Sequence, residues 1–378
     1  PPFSTQANIS ATAPTLTAGG MALDPATSLS NVSATAATSY TAWSPRLRPA
    51  FLPSFDLAVE YQLSNSDSLM AAYVGNVGSS LLNLRVGNQW TQYNTPSSAP
   101  FAGLVGTSGS VTIYESEANQ NYHAGEVVYR RRASRGITFT ANYTFSKNLT
   151  NATGVALPSN IAGYVNVPQN SYDLRSEYGP SGYDLRHMLT SSFVVELPFG
   201  HGKAFGANMN RALDTIVGGW QFSGNATLYS GFPVTIQASN AFGGNQGTGR
   251  ANHYRKLVIR NRTLNNWWGD DPSASQCLVA GVDDGKCAYG AAAAGTFGNA
   301  GVGTERSAGF RGVDAAGFKN FTIFREHTLQ FRVDAYNVGN ISSYNNPGRT
   351  VTATTGWGLV QSTRSQQRQI QFALKYKF

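Results

Sequence analysis

The chain has 378 residues and a formal net charge of +8, but only 13% of its residues are charged and 12% are aromatic. Soluble globular domains usually have about 25% charged residues, so this composition favours a β-rich protein whose outer surface need not be charged. No apolar run approaches the roughly 18 residues of a membrane-spanning helix, which argues against a helical membrane protein.

The positive charge does not predict nucleic-acid binding. The one dense basic cluster consists of Arg130, Arg131, Arg132 and Arg135, at a predicted tight turn. No aromatic platform is interleaved with these arginines, so the pattern that stacks bases is missing. Positive charges scattered over the solvated surface explain the net charge of +8. The alternative is that these arginines contact anionic head groups at a membrane surface.

Residues 1–54 are rich in Ala, Thr, Ser and Pro and lack a sustained period. This composition predicts either an extracellular loop or an irregular N-terminal segment. The chain begins with Pro1 rather than Met. We therefore treat it as a fragment or a processed product, and the missing signal peptide says nothing about location.

From residue 55 onward, short segments alternate between apolar and polar residues with the period of two that a β-strand requires. The clearest segments are residues 55–63, 137–146, 220–229 and 328–338. Weaker ones are residues 68–77, 122–132, 187–197 and 315–324. Their length of about 10 residues is what a tilted strand needs to cross a bilayer.

The last stretch, residues 367–378, alternates most strictly. One face carries Ile370, Phe372, Leu374, Tyr376 and Phe378, and the other carries Gln369, Gln371, Ala373, Lys375 and Lys377. A soluble sandwich strand could have this pattern. An outer-membrane barrel strand, with one face toward lipid and the other toward a wet lumen, could have it too.

The lengths of the connections favour the barrel. Short turns are predicted near residues 65, 134 and 326, an intermediate connection near 208, and long loops near 78–121, 147–183, 238–312 and 339–366. Every long loop falls on one side of the sheet, as in outer-membrane barrels with short periplasmic turns and long extracellular loops. The predicted fold is therefore an all-β, antiparallel transmembrane β-barrel over residues 55–378, with a periplasmic C-terminus.

Charged side chains identify the face toward the lumen, because a lipid-facing Arg near the midplane costs about 2–4 kcal/mol. Arg332 and Asp334 share the face of Gln330, and Asp56 and Glu60 share one face of the first strand. We expect these four charged residues to line the lumen, either along a substrate path or in hydrogen-bonded networks that contact a plug.

Two observations do not fit the interpretation of the chain as a complete barrel. Lys319 shares a face with Phe321 and Ile323, against the rule above. The pattern also gives about nine strands, whereas single-chain bacterial barrels normally have an even number. Because an unpaired edge in lipid is costly, we interpret the chain as the C-terminal portion of a larger barrel. The last strand should then leave one edge unpaired within these residues.

Cys277 and Cys287 are the only cysteines. No neighbouring Cys or His completes a zinc set. A local disulfide is the natural interpretation and implies an oxidising compartment, and two free thiols remain the alternative.

Trp267 and Trp268, followed by Asp270 and Asp271, are the leading candidates for ligand contact. Exposed tryptophans stack on sugars or aromatic groups, and the acids add polar contacts. The alternatives are a loop that packs on itself or an aromatic belt at the lipid interface. The five histidines have no metal-binding spacing and no G-x-S-x-G motif occurs, so we expect no catalytic residue, metal or cofactor.

Six segments occur in an order that resembles a known family: FDLAVEYQL with AAYVGNVGSSL, YRRRASRGITFTANYTFSKNL, SEYGPSGYDLRHMLTSSFVVELPFGHGK, VGGWQFSGNATLYSGFPVTI, GFKNFTIFREHTLQFRVDAYNVGN and RQIQFALKYKF. The chain is similar to the C-terminal barrel of TonB-dependent outer-membrane receptors, and most similar to Oar-like receptors of Acidobacteria that carry a carboxypeptidase-regulatory-like domain. The resemblance implies a barrel of about 22 strands, an N-terminal plug and a TonB box. It also implies that the strand from Ile370 to Phe378 is the signal read by the barrel-assembly machinery.

We therefore expect a non-enzymatic TonB-dependent receptor in the outer membrane of a Gram-negative bacterium. It would take up a small-molecule or oligomeric substrate. Its partners would be membrane lipid, its own plug, the TonB complex and the barrel-assembly machinery, and not nucleic acid. A passive porin-like channel and a secreted β-rich binding or adhesion module remain alternatives.

Overall fold

The computed structural model describes residues 39–378 apart from 135, 153–166, 245, 325 and 353–354, so most of the predicted N-terminal segment lies outside the described residues. The strands are β1 (Ser39–Trp43), β2 (Ser54–Gln62), β3 (Asp67–Val86), β4 (Ser110–Ser134), β5 (Ile137–Thr150), β6 (Gly179–Pro180), β7 (His187–Glu196), β8 (Trp220–Tyr229), β9 (Pro233–Val234), β10 (Asn252–His253), β11 (Gln276–Cys277), β12 (Tyr289–Gly290), β13 (Glu305–Arg306), β14 (Phe310–Phe324), β15 (His327–Tyr336) and β16 (Gln369–Lys377).

One sheet contains eleven of these strands. Nine of them follow in the order β2-β3-β4-β5-β7-β8-β14-β15-β16, and each pairs antiparallel with the next. The short strand β1 adds parallel to β4, and β6 adds antiparallel to β5. The predicted all-β antiparallel fold and the count of about nine strands are confirmed.

Helices are few and short. The α-helices are Ala102–Val105 and Arg211–Val217, and the 3₁₀ turns are Pro96–Ser98, Leu174–Glu177 and Pro272–Ala274. Among the described residues, no helix has the length and hydropathy that crossing a bilayer would require.

The register gives the sheet one largely apolar face, on which the charged residues Asp67, Arg131 and Lys319 lie toward the short-turn end. Directly opposite residues of antiparallel neighbours lie on the same side of a sheet. One row across six strands consists of Ile137, Val195, Phe222, Gly317, Val333 and Phe372. Side chains of this face are exposed, for example 71% for Leu57 and 69% for Phe372. In an outer-membrane barrel such a surface is turned toward lipid, and we call it the lipid face.

The two ends of the sheet differ in their connections. At the short-turn end, the connections β2–β3, β4–β5 and β14–β15 are short, and residues 197–219 join β7 to β8. At the long-connection end lie residues 87–109, 151–186, 230–309 and 337–368. The first loop is narrower than the predicted 78–121, because β3 and β4 continue beyond the alternating segments and pair as far as Val86 and Thr112.

The main buried core lies outside the sheet, in a folded unit at the long-connection end that we call the cap (residues 230–309 and 337–368). Its cluster includes Ile236, Trp268, Tyr289 and Val351. Hydrogen bonds join its two parts, since Trp268 Nε1 donates to Gly348 O at 3.0 Å and Trp357 Nε1 donates to Ala274 O at 2.9 Å.

Among the described residues, β16 pairs with β15 alone and β2 with β3 alone, so each leaves one edge unpaired. The odd strand count predicts this arrangement for β16.

Candidate functional site

The tryptophan pair singled out in the sequence lies inside the cap. Trp268 is 0% exposed and Trp267 is 7% exposed. The Trp267 ring is covered by the Arg262 guanidinium, whose central carbon lies 4.1 Å from the ring centroid. Neither ring is available to stack on a ligand, so the premise of exposed tryptophans is wrong. The alternative, a loop that packs on itself, describes the structure.

The two acids beside the tryptophans also have local roles. Asp270 accepts a hydrogen bond from Asn261 Nδ2 at 2.8 Å. Asp271 caps the turn Pro272–Ala274 by accepting from the Ser273 backbone N–H at 3.0 Å. That backbone hydrogen bond lowers the pKa of the Asp271 carboxyl. Both side chains therefore stabilise the loop in which they lie.

Cys277 and Cys287 form a disulfide in the cap. The Asp284 carboxylate accepts hydrogen bonds from the backbone N–H groups of Cys287 and Lys286, each at 2.8 Å, and these bonds lower its pKa. Within the described chain, the three side chains Cys277, Asp284 and Cys287 are the group whose atoms lie close enough to hold a metal ion. Because both sulfurs are consumed in the disulfide, they offer no thiolate ligand.

The charged residues predicted for the lumen lie on the polar face of the sheet. Arg332 Nη2 pairs with Asp334 Oδ1 at 2.7 Å on β15. Asp56 and Glu60 lie on β2, far along the strand order from β15. The structure therefore does not bring these two pairs together, and the polar face carries charge at separate places.

A cleft in the cap was not predicted from the sequence. Its volume is ≈ 570 Å³, and its polar lining includes Asn345, Asn346, Arg349, Gln361 and Ser362. No local signal marks it, because its position depends on pairing between the remote segments around residues 237 and 349.

Within the part of the chain that the structure describes, Arg349 is a half-buried cation of this cleft that has no acidic partner. Its Nε donates to Gln237 Oε1 at 3.2 Å, and its Nη1 is buried and has no hydrogen-bond partner among the described residues. Burial lowers the pKa of the guanidinium, and no carboxylate contributes to the shift. Removing a cation even partly from water without a counter-charge is energetically costly. The cleft is therefore suited to an anionic group.

Two other arginines at the border of the cap are paired with buried acids. Arg250 Nη1 lies 3.5 Å from Glu177 Oε2, and Arg306 pairs with Asp184. These pairs join the cap to the connection 151–186. Among the described residues, Arg349 and Arg364 of the cap instead make no ion pair, and each has an Nη1 that is buried without a hydrogen-bond partner.

The half-buried acid Glu305 accepts a hydrogen bond from the hydroxyl of the buried Tyr289 at 2.7 Å. Burial raises the pKa of both groups. The polar interior of the cap is therefore sensitive to the protonation of this carboxyl.

The chain belongs to the outer membrane beta barrel domain family, which matches residues 1–371. This membership places it in an outer membrane, with the lipid face of the sheet against the acyl chains. No curated protein matches the chain.

Solved structures give more distant likenesses. The outer membrane transporter YddB from Escherichia coli aligns with a TM-score of 0.47 at 10% identity, over 89% of this chain and 34% of that one. The FrpB iron transporter from Neisseria meningitidis (F3-3 variant) aligns with a TM-score of 0.39 at 10% identity, over 89% of this chain and 32% of that one. The copper transporter OprC aligns with a TM-score of 0.35 at 11% identity, over 88% of this chain and 31% of that one. The chain thus spans about a third of the length of these structures.

Proposed function

We propose that the chain is the C-terminal barrel portion of a TonB-dependent receptor of the Oar-like type, which takes up a solute across the outer membrane. The observation that carries the proposal is the folded cap at one end of a lipid-facing sheet. A passive porin needs an open mouth, whereas a receptor needs an ordered surface that binds its solute. The ordered resemblance of the six sequence segments supports the same function.

In this proposal the cap faces the cell exterior and the short-turn end faces the periplasm, with the C-terminus. Long extracellular loops and short periplasmic turns are the usual plan of these barrels. The unpaired edges of β2 and β16 would be closed by further strands, because free backbone groups in lipid are costly. Those strands, the plug and the TonB box would belong to the rest of the protein.

The solute would bind in the cap cleft and carry an anionic group that pairs with Arg349. Carboxylate and phosphate are the groups that a guanidinium binds best, because two parallel N–H···O bonds can form. The amide and hydroxyl side chains of the lining would bind the rest of the solute. We propose no catalytic step.

Solute uptake by the full-length receptor tests the proposal in cells with and without an intact TonB complex. We expect uptake that requires TonB, and binding to purified receptor that weakens in Arg349→Gln. The exposed Arg368→Gln is the matched control. Uptake that persists without TonB would favour the porin-like channel. A protein found in the soluble fraction would favour a secreted binding module.

A further inference from the structure

The connection between β7 and β8 folds back over the lipid face near the short-turn end. The register places Lys319 of β14 directly opposite Trp220 of β8 on that face. Lys319 Nζ donates to the carbonyl oxygen of Asp214 at 3.1 Å and to that of Gly218. Trp220 Nε1 donates to Ile216 O at 2.9 Å. These bonds hold the helix Arg211–Val217 against the outer side of the strands.

The same bonds explain how a lysine is tolerated on an apolar face. Lys319 is only 5% exposed. Its ammonium group meets two carbonyl oxygens in the C-terminal turn of the helix, where the helix dipole is negative. The Asp214 oxygen also accepts the Gly218 backbone N–H, and Lys319 adds a second donor to it. Lys319 therefore binds the helix instead of facing lipid.

The helix presents an apolar stripe that the described chain leaves uncovered. Leu213, Ile216 and Val217 follow the i, i+3, i+4 spacing of one helix face, and they are 49%, 70% and 39% exposed. Arg211 and Thr215 lie on the opposite side by the same spacing. In water, such a stripe costs about 25 cal/mol per Å² of exposed apolar surface.

We propose that this helix is an interfacial anchor that inserts its apolar stripe into the phospholipid leaflet at the short-turn end. The stripe is continuous with a surface that already faces lipid. Two exposed cations lie in the same connection, namely Arg211 on the polar side of the helix and Lys203, whose Nζ lies 3.8 Å from Glu196 Oε2. The Arg211 guanidinium matches the phosphate of a phospholipid head group. Apolar residues on one face and polar or charged residues on the other, as in RALDTIV, are the pattern of helices that lie in the membrane interface. The anchor is independent of the proposed uptake function.

A fluorophore attached to Ile216→Cys tests the anchor in the full-length protein, in nanodiscs of phosphatidylcholine and phosphatidylglycerol with brominated acyl chains. Both cysteines of residues 1–378 are joined in the disulfide, and any cysteine elsewhere in the full-length protein is replaced by serine so that the introduced thiol reacts alone. Thr215→Cys, on the opposite side of the same helix, is the matched control. We expect the brominated lipid to quench position 216 severalfold more than position 215, and aqueous iodide to show the reverse order.

Leu213→Cys repeats the measurement on the same stripe if the first variant does not fold. Equal quenching at 215 and 216 by either quencher would overturn the anchor. A label at 216 that is protected from both quenchers in a dimeric protein would also overturn it, because a second copy would then cover the stripe. None of these outcomes depends on solute uptake.

Discussion

At the scale of single residues, three polar side chains depend on partners that are remote in the sequence. Lys319 is bonded to the helix Arg211–Val217, Arg349 to Gln237, and Glu305 to Tyr289. Each belongs to a different part of the molecule, namely the lipid face, the cap cleft and the cap interior. Substitutions at these positions therefore report on separate parts of the structure.

Replacing Lys319 with Met should lower the free energy of unfolding by about 1–3 kcal/mol, because helix-terminal carbonyl oxygens lose a donor in an apolar setting. Thermal unfolding in detergent measures the change. Lys375→Met is the matched control, since Lys375 is exposed on the polar side of β16. An equal loss in both variants would contradict the role given to Lys319.

Stability of the cap should depend on pH through Glu305, whose pKa burial raises above the ordinary 4.5. A raised folded-state pKa means that the contribution to stability is fully present below the ordinary pKa. It is lost as pH rises through the raised value. Hydrogen exchange, corrected for its intrinsic pH dependence, should show the cap opening more readily at the higher pH.

Glu305→Gln should remove this share of the pH dependence, because the amide oxygen still accepts from Tyr289 but does not titrate. His253 and Arg262 act on the same carboxyl and lower its pKa, so both are left unchanged in the experiment. A Gln variant whose cap keeps the full pH dependence would show that another group is responsible.

At the scale of elements, the alternating strands and the loop with the disulfide contribute to stability in different ways. The stability of the strands depends on keeping their apolar face toward lipid and their polar face away from it. The loop from Cys277 to Cys287 depends on a covalent closure between residues 10 apart in sequence. The two elements can therefore be perturbed separately.

An added charge on the lipid face should strongly lower the free energy of unfolding. Phe222→Arg in β8 should destabilise the barrel by about 2–4 kcal/mol, the usual cost of arginine facing the bilayer interior. Ser223→Arg, one position away on the polar face, should change much less. Urea unfolding in lipid vesicles compares the two. Similar losses would mean that the faces are assigned wrongly.

Removing the disulfide should loosen the cap without opening the sheet. A loop of this length contributes about 3 kcal/mol through the entropy of the unfolded chain. Cys277→Ser with Cys287→Ser should therefore speed proteolysis of the cap while the heat-dependent shift in gel mobility of the barrel stays unchanged. Loss of that shift would show that the sheet also depends on the cap.

At the scale of the whole molecule, the sheet was largely predictable from sequence and the cap was not. Alternation from Ile370 to Phe378 fixes a strand because the period is local. The burial of Trp268 depends on Gly348, and the placement of Lys319 depends on a helix in a remote connection. Such contacts leave no local pattern, so both the tryptophan site and the strand with Lys319 needed the structure for their interpretation.

The central claim is the orientation of the molecule in the membrane, with the cap outside the cell and the short-turn end in the periplasm. Chemical labelling of intact cells measures this orientation most directly. The full-length receptor would carry a single added cysteine, either Asn265→Cys in the cap or Asn65→Cys at the short-turn end. We predict that a membrane-impermeant maleimide labels position 265 on intact cells and position 65 only after the outer membrane is permeabilised. Labelling of position 65 but not 265 on intact cells would contradict the account.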